Sequence, residues 1–459
     1  MIREVFTVPL VVKNNMQAAN TLNTLNKNEK DRMKSLKEVS SGMKINSAGD
    51  DPSGMSISER MRVQIRALDQ DNQNTQNGNS MMKVAEGAVA STVDILRTLK
   101  EKCINAANDT NTDDDRATIQ KEMDEMVDQI NDNANAQYNG KILMSGMYNN
   151  KVLDTNEGTS STYANTAFDF GAPTTNPATV KLTDLKDRNG GAVGVLPTDW
   201  MTVSYVKDGK TYQNTMRVGD NRFQDIFNWV PATTDMEVYT GVDPLPGTTD
   251  PDWSDVGVDQ YGHKVHTPDG QTAMTIRARN GGTNGQISGV TFCLTDSRGN
   301  IKKSQNNMFD KFRMTVRAQD PTPDNAMVFQ IGTRSNQAVK VGFTDMHAKA
   351  LGMMGNDSKA IQVTTRDRAN AAINVIENAL TMCLDQQTVL GAAQSRLQFT
   401  SANIITASEN TQNAESTIRD ADMAKSMTDY TKSNVLTQSA QAMLAQANQS
   451  SSGVLSLLQ

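Results

Sequence analysis

Apolar residues recur at alternating spacings of three and four along two long stretches, one in each half of the chain. This spacing places them on one stripe of an α-helix, and its length is typical of a coiled coil or long bundle rather than a compact globule. We predict a rod in which the two helices pack antiparallel along a seam. The seam positions are Met82, Val89, Leu96, Leu99, Cys103, Ile373, Ile376, Leu380, Cys383, Leu390, Leu397 and Ile404.

Capping residues mark the ends of the predicted rod helices. Asp51-Pro52 is a favourable N-cap and first-turn pair, and a helix from there to about residue 107 would be about 80 Å long. Thr112 precedes Asp113, Asp114 and Asp115, whose charges favour the positive end of a second helix. That helix is predicted to reach about residue 137 and to stop at the hairpin-type turn Asn139-Gly140.

Two further helices are predicted at the termini, over residues 12–43 and 418–459. Both are short of large apolar residues, and the second is rich in Gln, Ser, Thr and Asn. Such helices are marginal alone, because nucleation is costly and little apolar area is buried. We therefore expect them to fold when subunits pack together. The expected interface consists of Leu22, Leu25, Leu36, Val39, Val435, Leu436, Met443, Leu444, Val454, Leu455, Leu457 and Leu458.

The middle of the chain has a different pattern. Eight of the 12 prolines and all three tryptophans lie between Pro173 and Pro268, and proline breaks helix interiors. Alternating residues predict a hairpin over 201–206 and 210–218 around Asp208-Gly209. Further predicted elements are a short helix over 223–230, a strand over 287–295 and a strand pair within 328–343. The fold class is therefore mainly α: a helical rod (residues 47–150 and 326–418) that contains a β-hairpin and carries an inserted β-rich outer domain (151–325).

Charge and composition exclude several classes. A net charge of -7 argues against a nucleic-acid partner, which would need a basic stripe. No apolar run reaches the roughly 18 residues that a membrane span requires, so no membrane insertion is expected. The apolar patch at residues 5–12 contains Pro9 and lacks a signal-peptide cleavage pattern, so export by the Sec route is not expected.

Candidate chemistry is sparse. His263 and His266 suggest a metal pair, but no His-Glu-x-x-His motif occurs, and we interpret them as surface-loop residues. Three cysteines are too few for a disulfide framework. We interpret Cys103 and Cys383 as small buried residues and expect Cys293 to be buried too; a Cys103–Cys383 disulfide would need aligned helices. No nucleophile, base and orienting group converge in the middle domain, so we predict neither an enzyme nor a metal or cofactor site.

Residues 40–51, Ser-Ser-Gly-Met-Lys-Ile-Asn-Ser-Ala-Gly-Asp-Asp, closely resemble the signature of bacterial flagellins. In that family a terminal helix ends here, a connecting segment follows, and the long rod helix begins. Residues 105–111, 137–140, 330–332, 345–352 and 442–459 are similar to further family segments in the same order. The resemblance covers about residues 11–146 and 328–459. Residues 1–10 are interpreted as an unmatched extension, and the middle as the variable outer domain of the family.

The resemblance implies a structural subunit that polymerises into the extracellular bacterial flagellar filament, with residues 11–46 and 419–459 forming the inner core. It also implies export in a largely unfolded state by the flagellar type III route. The implied partners are copies of the same chain, an export chaperone on the C-terminal helix, the filament cap and the hook–filament junction proteins. The alternatives are a hook–filament junction protein, which shares the rod plan, a coiled-coil surface adhesin, and a hydrolase in the middle domain.

One implied partner is the Toll-like receptor that senses flagellin in vertebrates. In many flagellins the stretch matching residues 96–104, which includes Lys100, binds this receptor. Thr98 stands where the family motif has arginine, and Lys102 stands where it has leucine, whereas Glu122 matches the acidic contact. The resemblance therefore implies only weak receptor binding.

Overall fold

The computed structural model describes residues 15–152, 158–170, 176–228, 235–238, 254–267 and 272–457. The described chain divides into two compact units. The first contains the residues up to Gln73, Ile331–Gln337, and those from Thr400; the second contains Asn74–Gln330 and Ala338–Phe399. The divisions at residues 73/74 and 399/400 fall inside long helices, and the other two flank residues 331–337. None coincides with residues 47, 151, 326 or 419, so the predicted domain boundaries stay a prediction. The predicted extension over residues 1–10 lies outside the described residues.

Seven α-helices and two short 3-10 helices, Pro177–Thr179 and Leu182–Asp184, occur in the described residues. The α-helices are α1 (Met16–Ser41), α2 (Pro52–Ala106), α3 (Asp113–Ala134), α4 (Phe223–Asn228), α5 (Lys303–Phe309), α6 (Arg366–Arg419) and α7 (Met423–Leu457). The mainly helical ends and the β-rich middle are confirmed. The C-terminal helix starts later than predicted, because residues 420–422 separate α6 from α7. The end of the short helix predicted to reach residue 230 lies outside the described residues.

Local side-chain hydrogen bonds explain where these helices begin. The Oδ1 atom of Asp51 accepts hydrogen bonds from the backbone N–H groups of Ser53 and Gly54, both at 3.0 Å. Thr112 and Asp115 form a capping box in which each side chain accepts from the other's backbone N–H. These bonds satisfy donors that have no partner within the first turn of a helix.

The strands are short and mostly lie in the middle of the chain. They are β1 (Gln137–Tyr138), β2 (Lys141–Ile142), β3 (Thr162–Asn165), β4 (Phe168–Asp169), β5 (Lys186–Asp187), β6 (Trp200–Lys207), β7 (Lys210–Arg217), β8 (Met236–Val238), β9 (Asp255–Val258), β10 (Lys264–His266), β11 (Met274–Ala278), β12 (Ile287–Thr295), β13 (Arg313–Val316), β14 (Met327–Gln330) and β15 (Ala338–Val341). Two sheets have more than two strands among the described residues, in the orders β13-β3-β11-β8 and β12-β6-β7.

Positive φ angles at the turns fix both predicted hairpins. Asn139 and Gly140 have φ angles of 50° and 74°, and Asp208 and Gly209 have 52° and 71°. Two successive positive φ values define the turn whose twist matches that of paired strands. Because Gln137 already pairs with Ile142, α3 ends at Ala134 rather than at residue 137.

The β-rich middle packs directly against α6 within the second unit. A Cβ atom at Gly289 of β12 would lie 2.6 Å from Val375 Cγ2, so only glycine allows this approach. The amide of Asn374 donates to Thr291 Oγ1 at 2.8 Å. The core above this contact is aromatic, with the rings of Phe292 and Phe312 centred 5.0 Å apart.

Three predicted placements are wrong in detail. Ile373 and Leu380 are only half-buried, because Ala372, Val375, Ala379 and Met382 carry the buried stripe of that part of α6.

Cys293 is half-exposed rather than buried, because its neighbours Phe292 and Leu294 occupy the core-facing side of β12. His266 belongs to β10 rather than to a loop, while His263, with a side chain 78% exposed, lies in the preceding turn.

Candidate assembly interface

The terminal helices α1 and α7 lie side by side and antiparallel within the first unit. The side-chain amide of Asn15 donates to the carbonyl of Ala447 at 3.2 Å, and that of Asn28 donates to the carbonyl of Leu436 at 3.3 Å. Asn15 also caps α1, since its Oδ1 accepts from the backbone N–H of Ala18 at 3.0 Å. The two helices therefore form one paired structure.

The buried positions on these two helices carry small side chains. Ser35 on α1 and Ser426, Thr437 and Ala440 on α7 are each at most 9% exposed. Small residues allow two helix backbones to approach closely, but they remove little apolar area from water. The α1–α7 pair is therefore weakly stabilised by burial within a single subunit.

Large apolar side chains on the same helices face solvent. Their exposed fractions range from 43% to 65%, and they are Met16, Leu22, Met33, Leu36, Met423, Met427, Val435, Leu436 and Met443. An extended set of exposed apolar residues marks a surface that another molecule covers. We call this set the terminal apolar surface.

The terminal apolar surface includes many, but not all, of the predicted interface residues. Leu25, Val39 and Leu444 are half-buried instead. The side chains of Val454, Leu455 and Leu457, and Leu458 altogether, lie outside the described residues. Four of the five methionines of the surface, Met16, Met33, Met423 and Met427, were missed, although the spacing of four between Met423 and Met427 is a readable helical signal.

Two backbone hydrogen bonds join the chain just after α1 to the chain just before α7. Gly42 adopts a φ of 70° and ends α1 by donating its N–H to the carbonyl of Glu38 at 2.9 Å. The N–H of Ala421 then donates to the carbonyl of Gly42 at 2.9 Å, and the N–H of Lys44 donates to the carbonyl of Arg419 at 2.7 Å. The signature segment thus holds the two chain ends together.

Charged groups add further hydrogen bonds to this connection. The Arg419 side chain is 9% exposed and donates to Glu59 Oε1 at 2.7 Å and to Ser58 Oγ at 3.2 Å. The hydrogen bond from Arg419 lowers the pKa of the Glu59 carboxyl. Asp50 accepts from the hydroxyl of Ser47 at 2.9 Å, which lowers the pKa of Asp50 and fixes the connecting segment.

Helices α2 and α6 run antiparallel within each unit. In the first unit Ser58 pairs with Glu415 at 2.9 Å and Asn72 with Ser401 at 2.8 Å. In the second unit Gln394 donates to Glu86 at 2.6 Å. Apart from Ile373 and Leu380, the predicted seam residues are buried: Met82, Val89, Leu96, Leu99, Cys103, Ile376, Cys383, Leu390, Leu397 and Ile404.

The two seam cysteines are free and do not pair with each other. Cys103 Sγ contacts Met123 Sδ and Cys383 Sγ contacts Met346 Sδ, both at 3.9 Å. Burial raises the pKa of each thiol to about 12, so both stay protonated and unreactive.

The residues that the resemblance assigns to the receptor are only partly brought together. Lys102 Nζ lies 2.7 Å from Glu122 Oε2, whereas Lys100 Nζ lies 3.4 Å from Glu377 Oε2. Thr98 bonds back to the carbonyl of Asp94 on its own helix at 3.1 Å. The matching acidic residue is therefore paired with the lysine that replaces the family leucine.

Within the described residues, no helix is long and apolar enough to cross a bilayer. Nor does this part of the chain hold a group of three His, Cys, Asp or Glu side chains arranged for a metal ion. Long antiparallel helices, paired termini with exposed apolar residues and a β-rich insertion define a structural protein built for assembly.

Comparison with known proteins identifies the family. The bacterial flagellin N-terminal helical region matches residues 12–149, and the C-terminal helical region matches residues 373–458. A flagellin of Clostridium tyrobutyricum is 30% identical over 443 residues, covering 96% of this chain and 99% of its own. A flagellin of Bacillus subtilis is 27% identical over 451 residues, covering 97% and 99%.

The chain belongs to the bacterial flagellin family, and it is a structural subunit of the flagellar filament. The resemblance carried by residues 40–51 is thereby confirmed. A solved structure of FliC from Burkholderia pseudomallei is 17% identical and covers 70% of this chain and 99% of its own, with a TM-score of 0.24.

Proposed function

We propose that α1 and α7 form the inner core of the filament and that the terminal apolar surface of one subunit packs against neighbouring copies. The observation that carries this proposal is the inversion of burial on these helices, where small residues lie inside and large apolar residues lie outside. A soluble helix pair ordinarily has the opposite arrangement. Copies of the same chain supply the missing apolar partner.

The energetics favour folding of the termini on assembly. Full burial of one large apolar side chain contributes about 1.5–3 kcal/mol, whereas ordering the backbone costs about 1–2 kcal/mol per residue. Helices α1 and α7 contain 26 and 35 residues and share few buried apolar side chains. Their ordering is therefore coupled to polymerisation, as in a segment that folds on binding.

The remaining architecture fits the same role. Helices α2 and α6 form an antiparallel coiled-coil rod, and residues 151–325 form an outer domain on it. Contacts between subunits that repeat head to tail without closing generate an open helical filament. The chain would also contact the filament cap and the hook–filament junction proteins at the ends of that filament.

Marginal termini also suit export. The three cysteines are free, so no cross-link would hinder passage of an unfolded chain through the flagellar type III route. Exposed apolar residues on α7, such as Val435 and Leu436, would give an export chaperone its binding surface. Recognition of an amphipathic segment in an apolar groove is a common mode for such partners.

Activation of the vertebrate receptor is proposed to be weak. The ion pair between Lys102 and Glu122 occupies the acidic group that the receptor would otherwise contact. Breaking this pair, or burying Lys102 at the interface centre, adds a desolvation cost to binding.

Deletion of residues 443–459 tests the central proposal. The deletion removes Met443 and Leu444 together with the apolar end of the chain, but it leaves α2 and α6 intact. The truncated protein should remain a soluble, helical monomer that neither seeds nor extends filaments.

Circular dichroism and electron microscopy provide the readout. Helicity should rise when the full-length protein polymerises, and the truncated protein under the same salt should show no rise and no filaments. A full-length monomer that already has the helicity of the filament would contradict coupled folding. Filaments formed by the truncated protein would contradict the role of α7.

A further inference from the structure

A cleft of about 660 Å³ lies between β13 and one face of α6, within the second unit. Asn374, Asn378, Thr381 and Asp385 lie on the α6 wall, at spacings of four, three and four. This spacing gives α6 a polar stripe beside its buried apolar one. Asn374 and Asn378 are half-buried and Thr381 and Asp385 are exposed, so this wall of the cleft is polar and open to water.

An amide donor in the cleft has no partner. Gln386 is 4% exposed, and its Oε1 accepts from the Thr344 hydroxyl at 2.8 Å. Its Nε2, by contrast, has no hydrogen-bond acceptor among the described residues. A buried donor without an acceptor costs free energy, and a polar ligand would satisfy it once the Gln386 side chain turned into the cleft.

The opposite wall adds an exposed aromatic ring and a carboxylate. Tyr261 is 44% exposed, and its hydroxyl accepts from the side-chain amide of Asn150 at 3.2 Å, which fixes the ring beside the cleft. Asp310 also lines the cleft, where burial raises the pKa of its carboxyl to about 6. The cleft therefore combines an aromatic face with amide and carboxylate groups.

The charges of the lining residues nearly balance. The acidic residues are Asp259, Asp310, Glu377 and Asp385, and the basic ones are Lys311, Arg313 and Arg317. A phosphate-bearing ligand would need an excess of positive charge. The balance instead favours a neutral ligand rich in groups that both donate and accept hydrogen bonds.

We propose that this cleft binds a short uncharged oligosaccharide. Sugar hydroxyls act as both donors and acceptors, which matches the amide of Asn378 and the carboxylate of Asp385. The apolar face of a sugar ring packs against an aromatic ring such as that of Tyr261. The volume falls within the roughly 300–1,000 Å³ of small-molecule sites, where a few placed polar groups fix the ligand.

Isothermal titration calorimetry of the full-length monomer tests the proposal. The probes are maltotriose, cellotriose and N,N′,N″-triacetylchitotriose, with 3′-sialyllactose as a charged comparison. At least one neutral probe should bind with a Kd below about 1 mM, an ordinary weak affinity. Binding by none of the neutral probes, or stronger binding of sialyllactose, would overturn the proposal.

Variants locate the binding site. Asn378→Ala and Tyr261→Ala should each weaken binding about fivefold or more, because one ligand hydrogen bond or ring contact is worth about 1 kcal/mol. Gln398→Ala, an exposed change on α6 outside the cleft, is the matched control and should bind like the unchanged protein. Circular dichroism verifies that each variant is folded. Equal affinity of all three variants would place any binding elsewhere and refute the site.

Discussion

At the residue scale, ion pairs decide what the surface of the second unit offers to a partner. Lys102 and Glu122 lie on different helices, and their side chains are 33% and 45% exposed. An exposed pair contributes little to stability, typically 0–1 kcal/mol, so its main effect is on recognition. The acidic group is no longer a free contact for another protein.

The double substitution Thr98→Arg and Lys102→Leu should raise activation of the flagellin-sensing receptor. The change restores two residues of the family motif and frees Glu122 from its lysine. Because a well-buried contact at an interface centre is worth more than about 1 kcal/mol, potency should rise about tenfold or more. Dose curves on receptor reporter cells measure the effect, with Lys83→Leu on the same helix as the control. Equal potency of the unchanged and doubly substituted proteins would refute the prediction.

The hydrogen bond between His347 and Asp345 should make stability depend on pH. The His347 Nδ1 and Asp345 Oδ1 atoms lie 2.6 Å apart, and this bond to Asp345 raises the pKa of His347. Burial alone would raise the pKa of Asp345, but the hydrogen bonds from His347 outweigh it and leave the pKa lowered. A raised histidine pKa gives stability that is complete below the unfolded value near 6.5 and is lost as pH rises through the folded value.

Unfolding midpoints in urea at pH 6 and pH 8 test this expectation. Stability should fall between these values in the unchanged protein and fall less in His347→Gln. Other titratable and charged groups near the pair are the same in both proteins, so their contributions to the pH dependence of stability largely cancel in the comparison. These groups are Arg317, Asp385 and the cleft residue Asp310. His263→Gln, on an exposed turn, is the control and should keep the original dependence. An identical pH dependence of the His347→Gln protein would show that the pair contributes nothing.

At the element scale, the packing of a neighbouring hairpin decides which glycines of α2 have room for a side chain. Gly78 and Gly87 both lie in α2, but a Cβ at Gly78 would lie 2.9 Å from Phe329 Cδ1 of β14, whereas a Cβ at Gly87 would meet nothing within 4 Å. The sequence makes these two glycines look alike. Only the hairpin of β14 and β15 distinguishes them.

Alanine should stabilise the protein at Gly87 but not at Gly78. Gly87→Ala should stabilise the second unit by about 0.5–1 kcal/mol, since glycine in a helix interior costs about that much. Gly78→Ala gains the same helix propensity but pushes against the Phe329 ring, so it should be neutral or destabilising by about 1 kcal/mol. Thermal unfolding followed by circular dichroism compares them. Equal stabilisation by both substitutions would show that the Phe329 ring moves aside without a cost in stability.

At the scale of the whole molecule, the terminal apolar surface should set the concentration needed for assembly. Val435→Ser and Leu436→Ser together remove two large apolar side chains that are 55% and 44% exposed in one subunit. If each contributes about 1.5–3 kcal/mol when covered, the critical concentration should rise by at least tenfold. Sedimentation of polymerised protein gives this concentration directly.

A matched control separates assembly from general loss of apolar surface. Leu196→Ser removes a side chain that is 53% exposed in the β-rich middle, and it should leave the critical concentration unchanged. An unchanged value for the Val435 and Leu436 variant would exclude α7 from the assembly interface.

Local chemistry allowed much of the fold to be predicted from the sequence. The start of α2 at Asp51-Pro52, the capping box of α3 and the hairpin turns at Asn139-Gly140 and Asp208-Gly209 depend on neighbours within a few residues. Residues 40–51 likewise indicated the family. Hydrogen bonds and turn conformations of this short range are properties of the segment itself, so the sequence by itself determined them.

Tertiary structure alone decided which faces of these elements are buried. Leu380 is half-buried while the smaller Ala379 is fully buried, and Cys293 turns away from the core that Phe292 fills. The pairing of Lys102 with Glu122 and the cleft beside α6 likewise arise between separate elements. A helical or strand period shows that a face exists, but the shape and volume of the packing partner decide which side chains it covers.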